Sequence, residues 1–317
     1  MDDIAALNES KPANAPSLAT WLRAIRAPSL TATFAPCLAT GLLGGVLGWD
    51  IAWGLALSAA LGVIAVQIGV NLMNDVEDDD RGIDVPGTLG GSGVLQAGLV
   101  SRTSMRRAAW LAFALGMLLG LPALITEPSL SLVVVMAALG AWGYSSGPGL
   151  KYRALGDLAV VTLCGPVLTV GFALAAFGTT SPLVLALGLA FGFAAVGILH
   201  INNFQDMQAD AATGAKTLAL ALGVAGSRFY LLLVYALALV LWPVAGALAG
   251  LPWAAVLIPI VAALPMARLL VPLMRATNAD AARGLQAPSL ALVRIDAAKV
   301  HLALGALVSL GLAVSLF

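Results

Sequence analysis

The chain has 317 residues, sixteen Lys and Arg against sixteen Asp and Glu, and 60% hydrophobic residues with only 10% charged. A soluble domain is about one quarter charged, so this composition and a mean hydropathy of +0.97 exclude an ordinary soluble enzyme. Zero net charge and the absence of zinc-finger or helix-turn-helix spacings leave no nucleic-acid surface; the expected partner is the lipid bilayer.

Residues 1–27 read as a cytoplasmic N-terminal arm. They carry Asp2, Asp3, Glu9 and Lys11 and lack the basic start and small-residue cleavage site of a secretory leader. Residues 28–317 read as a single membrane domain. A spanning helix needs about 20 apolar residues, because each rises ~1.5 Å through a core ~30 Å thick. Nine segments qualify, near 28–48, 51–73, 107–126, 129–146, 157–178, 182–203, 228–249, 252–274 and 297–317. The expected fold is therefore all-α, with nine transmembrane helices. Their Gly and Ala content suits close helix packing in lipid. Cys37 and Cys164 lie in apolar runs and offer neither a disulfide framework nor a metal site.

The links near 49, 127, 180 and 250 are tight, whereas 74–106, 147–156, 204–227 and 275–296 are long and polar. All sixteen cations fall in the N-terminal arm, in the long links or on their flanks. The positive-inside rule then places the N-terminus and long links in the cytoplasm and Phe317 outside, in a multi-pass protein of the inner membrane.

At the end of the second segment, Asn71, Asn74, Asp75, Glu77, Asp78, Asp79, Asp80, Arg81 and Asp84 follow closely, so that six of the sixteen acids fall in positions 75–84. Neighbouring carboxylates repel by ~1 kcal/mol per pair even in water, and their oxygens suit a hard cation such as Mg²⁺. A solvated acidic loop is the bland alternative; an EF-hand fails because Arg81 and Thr88 occupy ligand places. The sixth segment ends similarly, in His200, Asn202, Asn203, Gln205, Asp206 and Asp210. Asn202, Asp206 and Asp210 recur every four residues and share a helical face, as do Asn74 and Asp78. The two clusters lie 128 residues apart and suggest an internal duplication. Facing acidic ends of this kind could bridge Mg²⁺ to one diphosphate, with Asp75, Asp78, Asp206 and Asp210 as metal ligands.

Between the clusters, Lys151 and Arg153 could hold diphosphate oxygens, Arg in bidentate fashion, or simply flank the membrane. The Gly-rich stretch 87–93 could cradle phosphate through backbone N–H groups, but it lacks the Lys of a P-loop and reads equally as a flexible loop. Gln96 has no evident role. His200 reads as catalytic or as a packed polar residue, and His301 as interfacial.

These stretches resemble the UbiA superfamily of intramembrane prenyltransferases over nearly the whole chain. In detail, Trp21 to Leu30, Asn71 to Asp84, Gly90 to Gly98, Tyr152 to Asp157 and Asn202 to Gly223 are most similar to 1,4-dihydroxy-2-naphthoate prenyltransferases of menaquinone synthesis. The resemblance implies two Asp-rich motifs at the cytoplasmic ends of helices 2 and 6. It also implies Mg²⁺-dependent transfer of a polyprenyl group from its diphosphate to an aromatic acceptor. Asp78, Asp206, Lys151 and Arg153 would carry catalysis, and Asn74, Asn202, Asn203, Arg81 and Lys216 would assist binding. The chain departs from that pattern where Gly82 replaces a third Asp, and at Gln205, Val94 and Ala221, where the subgroup often has cations. Two other readings of the acids stay open: a terpene cyclase of the same superfamily, which needs no acceptor, and an ion-coupled transporter.

Overall fold

The structure is a computed structural model that describes residues 15–83, 91–283, 287, 290 and 292–317, the side chains of 282 and 283 excepted. The expectations for Lys11, Asp84 and Gly87 to Gly90 therefore lie outside the described residues. Among those described, the chain is helical, with a single isolated backbone bridge between Arg153 and Lys216.

A short helix α1 (Leu18–Ala24), capped by the Ser17 hydroxyl on the Thr20 N–H, leads into the first membrane helix α2 (Ala27–Val46). There follow α3 (Trp53–Asp80), α4 (Arg102–Thr126) and α5 (Leu130–Ser145). Next come α6 (Gly156–Phe177), α7 (Pro182–Gln205), the one-turn extension α8 (Met207–Thr213) and α9 (Leu218–Leu248). The last three are α10 (Trp253–Arg275), α11 (Asn278–Arg283) and α12 (Val293–Val314).

Eight of these helices are long and apolar enough to cross a membrane, not nine. The fourth expected span is α5, whose 16 residues cover about 24 Å of a ~30 Å core. It stops where Ser146 turns extended ahead of Gly147-Pro148-Gly149, both glycines having positive φ. The second span overshoots instead: α3 stays helical to Asp80, so the acidic motif belongs to a helix rather than to a loop.

Small residues set the packing. A Cβ on Gly62 of α3 would meet the Gly116 carbonyl of α4 at 3.1 Å, so these two backbones touch. Between α6 and α7, a Cβ on Gly192 would lie 2.4 Å from the Val161 carbonyl, and one on Gly165 2.6 Å from the Gly188 carbonyl. Close approach of this kind supplies association energy in lipid, where apolar burial alone gives none. Helix α6 bends at Gly165-Pro166 through a π turn, since Pro lacks the N–H that would continue the ladder. The main core joins α2, α7, α9, α10 and α12 around Phe191, Phe204 and Trp242. A second, smaller core joins α1, α3, α4 and residues 94–100. The outer face of α4 presents Trp110, Leu111, Leu118 and Ile125, as a lipid-facing helix should.

Gly192→Ala is expected to destabilise the detergent-solubilised protein by about 1–3 kcal/mol, because two backbones must part. Gly54→Ala, where a Cβ meets nothing within 4 Å, should leave its thermal midpoint unchanged or slightly raised.

Candidate active site

The last three turns of α3 carry Asn71, Asn74, Asp75 and Asp78, all buried. Each has a partner from another element. Asn71 donates to the Ile25 carbonyl at 2.9 Å and to Ser29 Oγ at 3.0 Å, which straps the segment after α1 onto α3. Asn74 Oδ1 accepts from the Ser145 hydroxyl at the end of α5. Asp75 pairs with Arg26 and accepts the Ser92 N–H at 3.1 Å. Asp78 accepts from Lys151 Nζ at 2.6 Å and from the Tyr152 hydroxyl at 2.7 Å. Farther out, Asp79 binds Arg102 and Gln96, and Asp80 binds Arg106 and Arg102. Glu77 accepts from Ser146 and Arg81. The acidic run is thus neutralised from several directions, which removes the repulsion its spacing would otherwise produce.

Opposite it, α7 ends in Asn202 and Asn203, Asp206 forms the joint between α7 and α8, and Asp210 is buried on α8. Asp206 pairs with Arg294 of α12 at 2.8 Å. Burial pushes the Asp206 carboxyl up from its ordinary value, with Arg294 opposing the shift. Burial, and then the neighbouring charge of Asp206, raise Asp210 to about 7, against a hydrogen bond from Thr217 and the charge of Lys151.

The two ends enclose a cavity of about 120 Å³ lined by Asn74, Asp78, Asn202, Asn203, Asp206 and Asp210, with Arg26, Lys151, Tyr144, Tyr152 and Thr217 completing its wall. Lys151 is presented by the turn at Gly149, and its loop is pinned by the Lys216 N–H on the Tyr152 carbonyl (3.1 Å) and the Ala154 N–H on the Lys216 carbonyl (2.5 Å). Two buried oxygens of the cavity wall, Asn202 Oδ1 and Asp210 Oδ2, have no hydrogen-bond donor. Unpartnered buried oxygens cost free energy, and an all-oxygen set suits Mg²⁺. Among the described residues no three Asp, Glu, His or Cys side chains converge on one point. That fits an ion held by one or two carboxylates with phosphate oxygens filling its other positions.

Asn74, Asp78, Asn202, Asn203, Asp206, Asp210 and Lys151 meet at the cavity as the sequence reading expects. Asp75, Arg81, Arg153 and Lys216 do not line it. The Asp75 carboxylate is engaged by Arg26 and Ser92 instead. Arg81 stacks over the Tyr152 ring at 4.5 Å and donates to the Ser145 carbonyl, while Arg153 and Lys216 are exposed. Gln96 is explained by its 3.2 Å bond to Asp79, and Val94 by full burial in the smaller core; Ala221 is exposed on α9. His200 does not line the cavity. It is fully buried, with Nδ1 3.0 Å from Asp157 and its ring 4.6 Å from Tyr230, which is the packed reading. His301 is not interfacial but fully buried, beside Phe191.

Sequence reasoning missed Arg26, Tyr144, Tyr152 and Arg294. Arg26 has a left-handed backbone (φ 52°, ψ 54°), a conformation costing a non-glycine residue about 1–2 kcal/mol, and it sits where its side chain bridges Asp75 and the cavity. Only the adjacency of Tyr152 to Lys151 could have signalled one of these four.

Because the folded state holds a proton on Asp210 that the unfolded chain has lost, this group lowers stability as pH rises from about 4 to about 7. Asp210→Asn should therefore raise the thermal midpoint of the metal-free protein near pH 8, with the gain shrinking towards pH 4, as read by melting in detergent.

Known proteins resemble the chain in sequence and in fold. The UbiA prenyltransferase family profile matches residues 33–287. The chain is 33% identical over 214 residues to the 1,4-dihydroxy-2-naphthoate octaprenyltransferase of Mycobacterium tuberculosis, covering 67% of this chain and 73% of that one. It is 29% identical over 220 residues to the Escherichia coli protein of the same name, covering 66% and 70%. The apo structure of a UbiA homolog from Aeropyrum pernix K1 superposes with a TM-score of 0.63 at 20% identity, covering 90% of this chain and 98% of that one. A UbiA homolog from Archaeoglobus fulgidus bound to GPP and Mg²⁺ gives 0.53 at 18% identity, covering 92% and 99%. These two likenesses concern the fold.

Proposed function

The chain belongs to the UbiA prenyltransferase family, and on that premise we propose that it transfers a polyprenyl group from its diphosphate to 1,4-dihydroxy-2-naphthoate in menaquinone synthesis. It is a multi-pass membrane prenyltransferase. The naphthoate acceptor is supported by the two relatives of that activity, which align over two thirds of the chain. The observation that carries the site assignment is the convergence of two amide-and-carboxylate helix ends, with Lys151 between them, on one cavity.

In this reading Asp78 on one side and Asp206 and Asp210 on the other, with the side-chain carbonyls of Asn74 and Asn202 or Asn203, would each help hold one of two Mg²⁺ ions, one or two carboxylates to an ion, together with the donor diphosphate. Bound there, the metal acts as a Lewis acid that neutralises the leaving group. Lys151 and Arg26 add fixed positive charge at the same wall, where negative charge grows as the allylic C–O bond breaks. Lys151 rests on Asp78 in the free protein, and diphosphate offers its ammonium a second anionic partner. The Tyr144 and Tyr152 rings border the cavity, and Lys151 Nζ lies over both, 6.0 and 4.9 Å from their centroids. The apolar helices keep bulk water from the allylic carbon and give the prenyl tail a long surface. The Asp75–Arg26 pair and the Asn71 bonds close the wall from the N-terminal side. Residues 28–317 act as one catalytic domain in the inner membrane. Its acidic face is cytoplasmic with the N-terminus, since the cations of the sequence fall in the arm and in the links on that side, and Phe317 lies outside, with the short α5 making a ninth pass because it carries the chain back to that face, where Ser145 meets Asn74.

The test is prenyl transfer in detergent or membranes with polyprenyl diphosphate, Mg²⁺ and a panel of aromatic acids. Asp78→Asn and Asp206→Asn should each lower the rate roughly 100-fold or more while the naphthoate product forms in the parent. Release of diphosphate with a cyclised hydrocarbon and no need for acceptor would overturn the transferase reading.

A further inference from the structure

Asp206 sits at the joint of two helices, with non-helical geometry (φ −96°, ψ 5°), so neither α7 nor α8 aims its carboxylate by regular structure. The aiming comes from a residue 88 positions away. Arg294, in the first turn of α12, donates from Nη2 to Asp206 Oδ2 at 2.8 Å and from Nε to Gln205 Oε1 at 3.1 Å. Gln205 in turn donates from Nε2 to the Leu290 carbonyl at 2.5 Å. Leu290 and Val293 are buried in the main core, so the base of Arg294 is itself fixed. Asp206 lines the cavity, and Arg294 does not. The guanidinium therefore grips the carboxylate from behind, through one oxygen.

We infer that Arg294 is a positioning residue for the reaction, holding Asp206 towards the cavity, and that Gln205 is the splint that orients it. The inference rests on the proposed prenyl-transfer role of this cavity. The Arg294 and Asp206 side chains are only 21% and 23% exposed, so losing the pair also costs stability, and binding measured on the folded protein separates positioning from stabilisation. The two parallel contacts of Arg294, to a carboxylate and to an amide, fix the angle of a group that faces the site. A Lys has one point charge and cannot reproduce both contacts. Groups that orient a ligand-bearing side chain in this way typically change affinity or activity 10–100-fold when removed. Because Gln205 already touches the guanidinium, an Arg at position 205 reaches the same carboxylate from the other side.

The experiment uses the full chain in detergent with Mn²⁺ and geranyl diphosphate as the binding probe, prenyl transfer as a second readout and thermal melting as a third. Arg294→Gln should weaken probe binding about tenfold or more and lower kcat by a similar factor, read at a temperature where melting shows the variant fully folded. Arg294→Lys should fall between, and Gln205→Arg combined with Arg294→Gln should recover most of the binding. Lys299→Gln, which breaks an exposed pair on the same helix, should change nothing. Parent-like probe binding in Arg294→Gln overturns the inference, and so does a combined variant that melts normally yet recovers no binding. If the parent shows the binding pattern but transfers no prenyl group, the proposed reaction fails and the positioning role stands.

Discussion

Five carboxylates within the last six residues of one membrane helix, Asp75 and Glu77 to Asp80, are the constraint on which the rest of the structure depends. Such a run is tolerable beside a low-dielectric membrane only if cations reach it. They come from the segment after α1, from the start of α4 and from the loop before α6, as Arg26, Arg102, Arg106 and Lys151. Neutralising the run therefore draws four parts of the chain to one end of the bundle. The pairs differ in consequence. Those of Asp79 and Asp80 lie at the rim, where solvent weakens them. Those of Asp75 and Asp78 are buried and place Arg26 and Lys151 on the cavity wall.

The second acidic end is built differently. Asp206 and Asp210 share burial and one nearby guanidinium, and both carboxyls are held above their ordinary range. With Asn202 Oδ1 and Asp210 Oδ2 lacking donors, this side of the cavity is short of positive charge in the free protein, whereas the α3 side is balanced. A cation entering with an anionic substrate answers that asymmetry. The bilayer-embedded helices bring the halves together through backbone contacts that only glycine permits, at Gly165, Gly188 and Gly192 between α6 and α7. Gly156, at the head of α6, likewise lets the Lys151 backbone come close, a Cβ there meeting Lys151 Cα at 3.2 Å.

Much of this was legible in the sequence because lipid imposes a simple rule: backbone polar groups must be satisfied within the segment, so long apolar runs are helices. Eight of nine expected spans follow from that rule, and α5 departs because length, not polarity, is what it lacks. The i, i+4 recurrence of Asn74 with Asp78 placed that pair on one helical face, whereas Asn202, Asp206 and Asp210 reach the same cavity across a break in the helix at Asp206. Asp75 lies off the cavity wall since a neighbour in sequence lies about 100° round the helix, and its carboxylate meets Arg26 and the Ser92 N–H there. His301 was misjudged because its position near a helix start suggested the membrane surface, while α12 packs that turn against Phe191.

The sequence by itself determined that the chain is an all-helical membrane protein, that its cations gather on one face, and that two acidic helix ends share that face. These are properties of composition and of local periodicity, which act within a few residues. Only the tertiary structure decided which cation meets which acid. Arg26, Lys151 and Arg294 are separated from their partners by 49, 73 and 88 residues, and nothing in local spacing encodes such distances. The choice among sixteen like-charged side chains was made by the packing of helices, because an ion pair selects its partner by where the backbones bring it, not by its order along the chain.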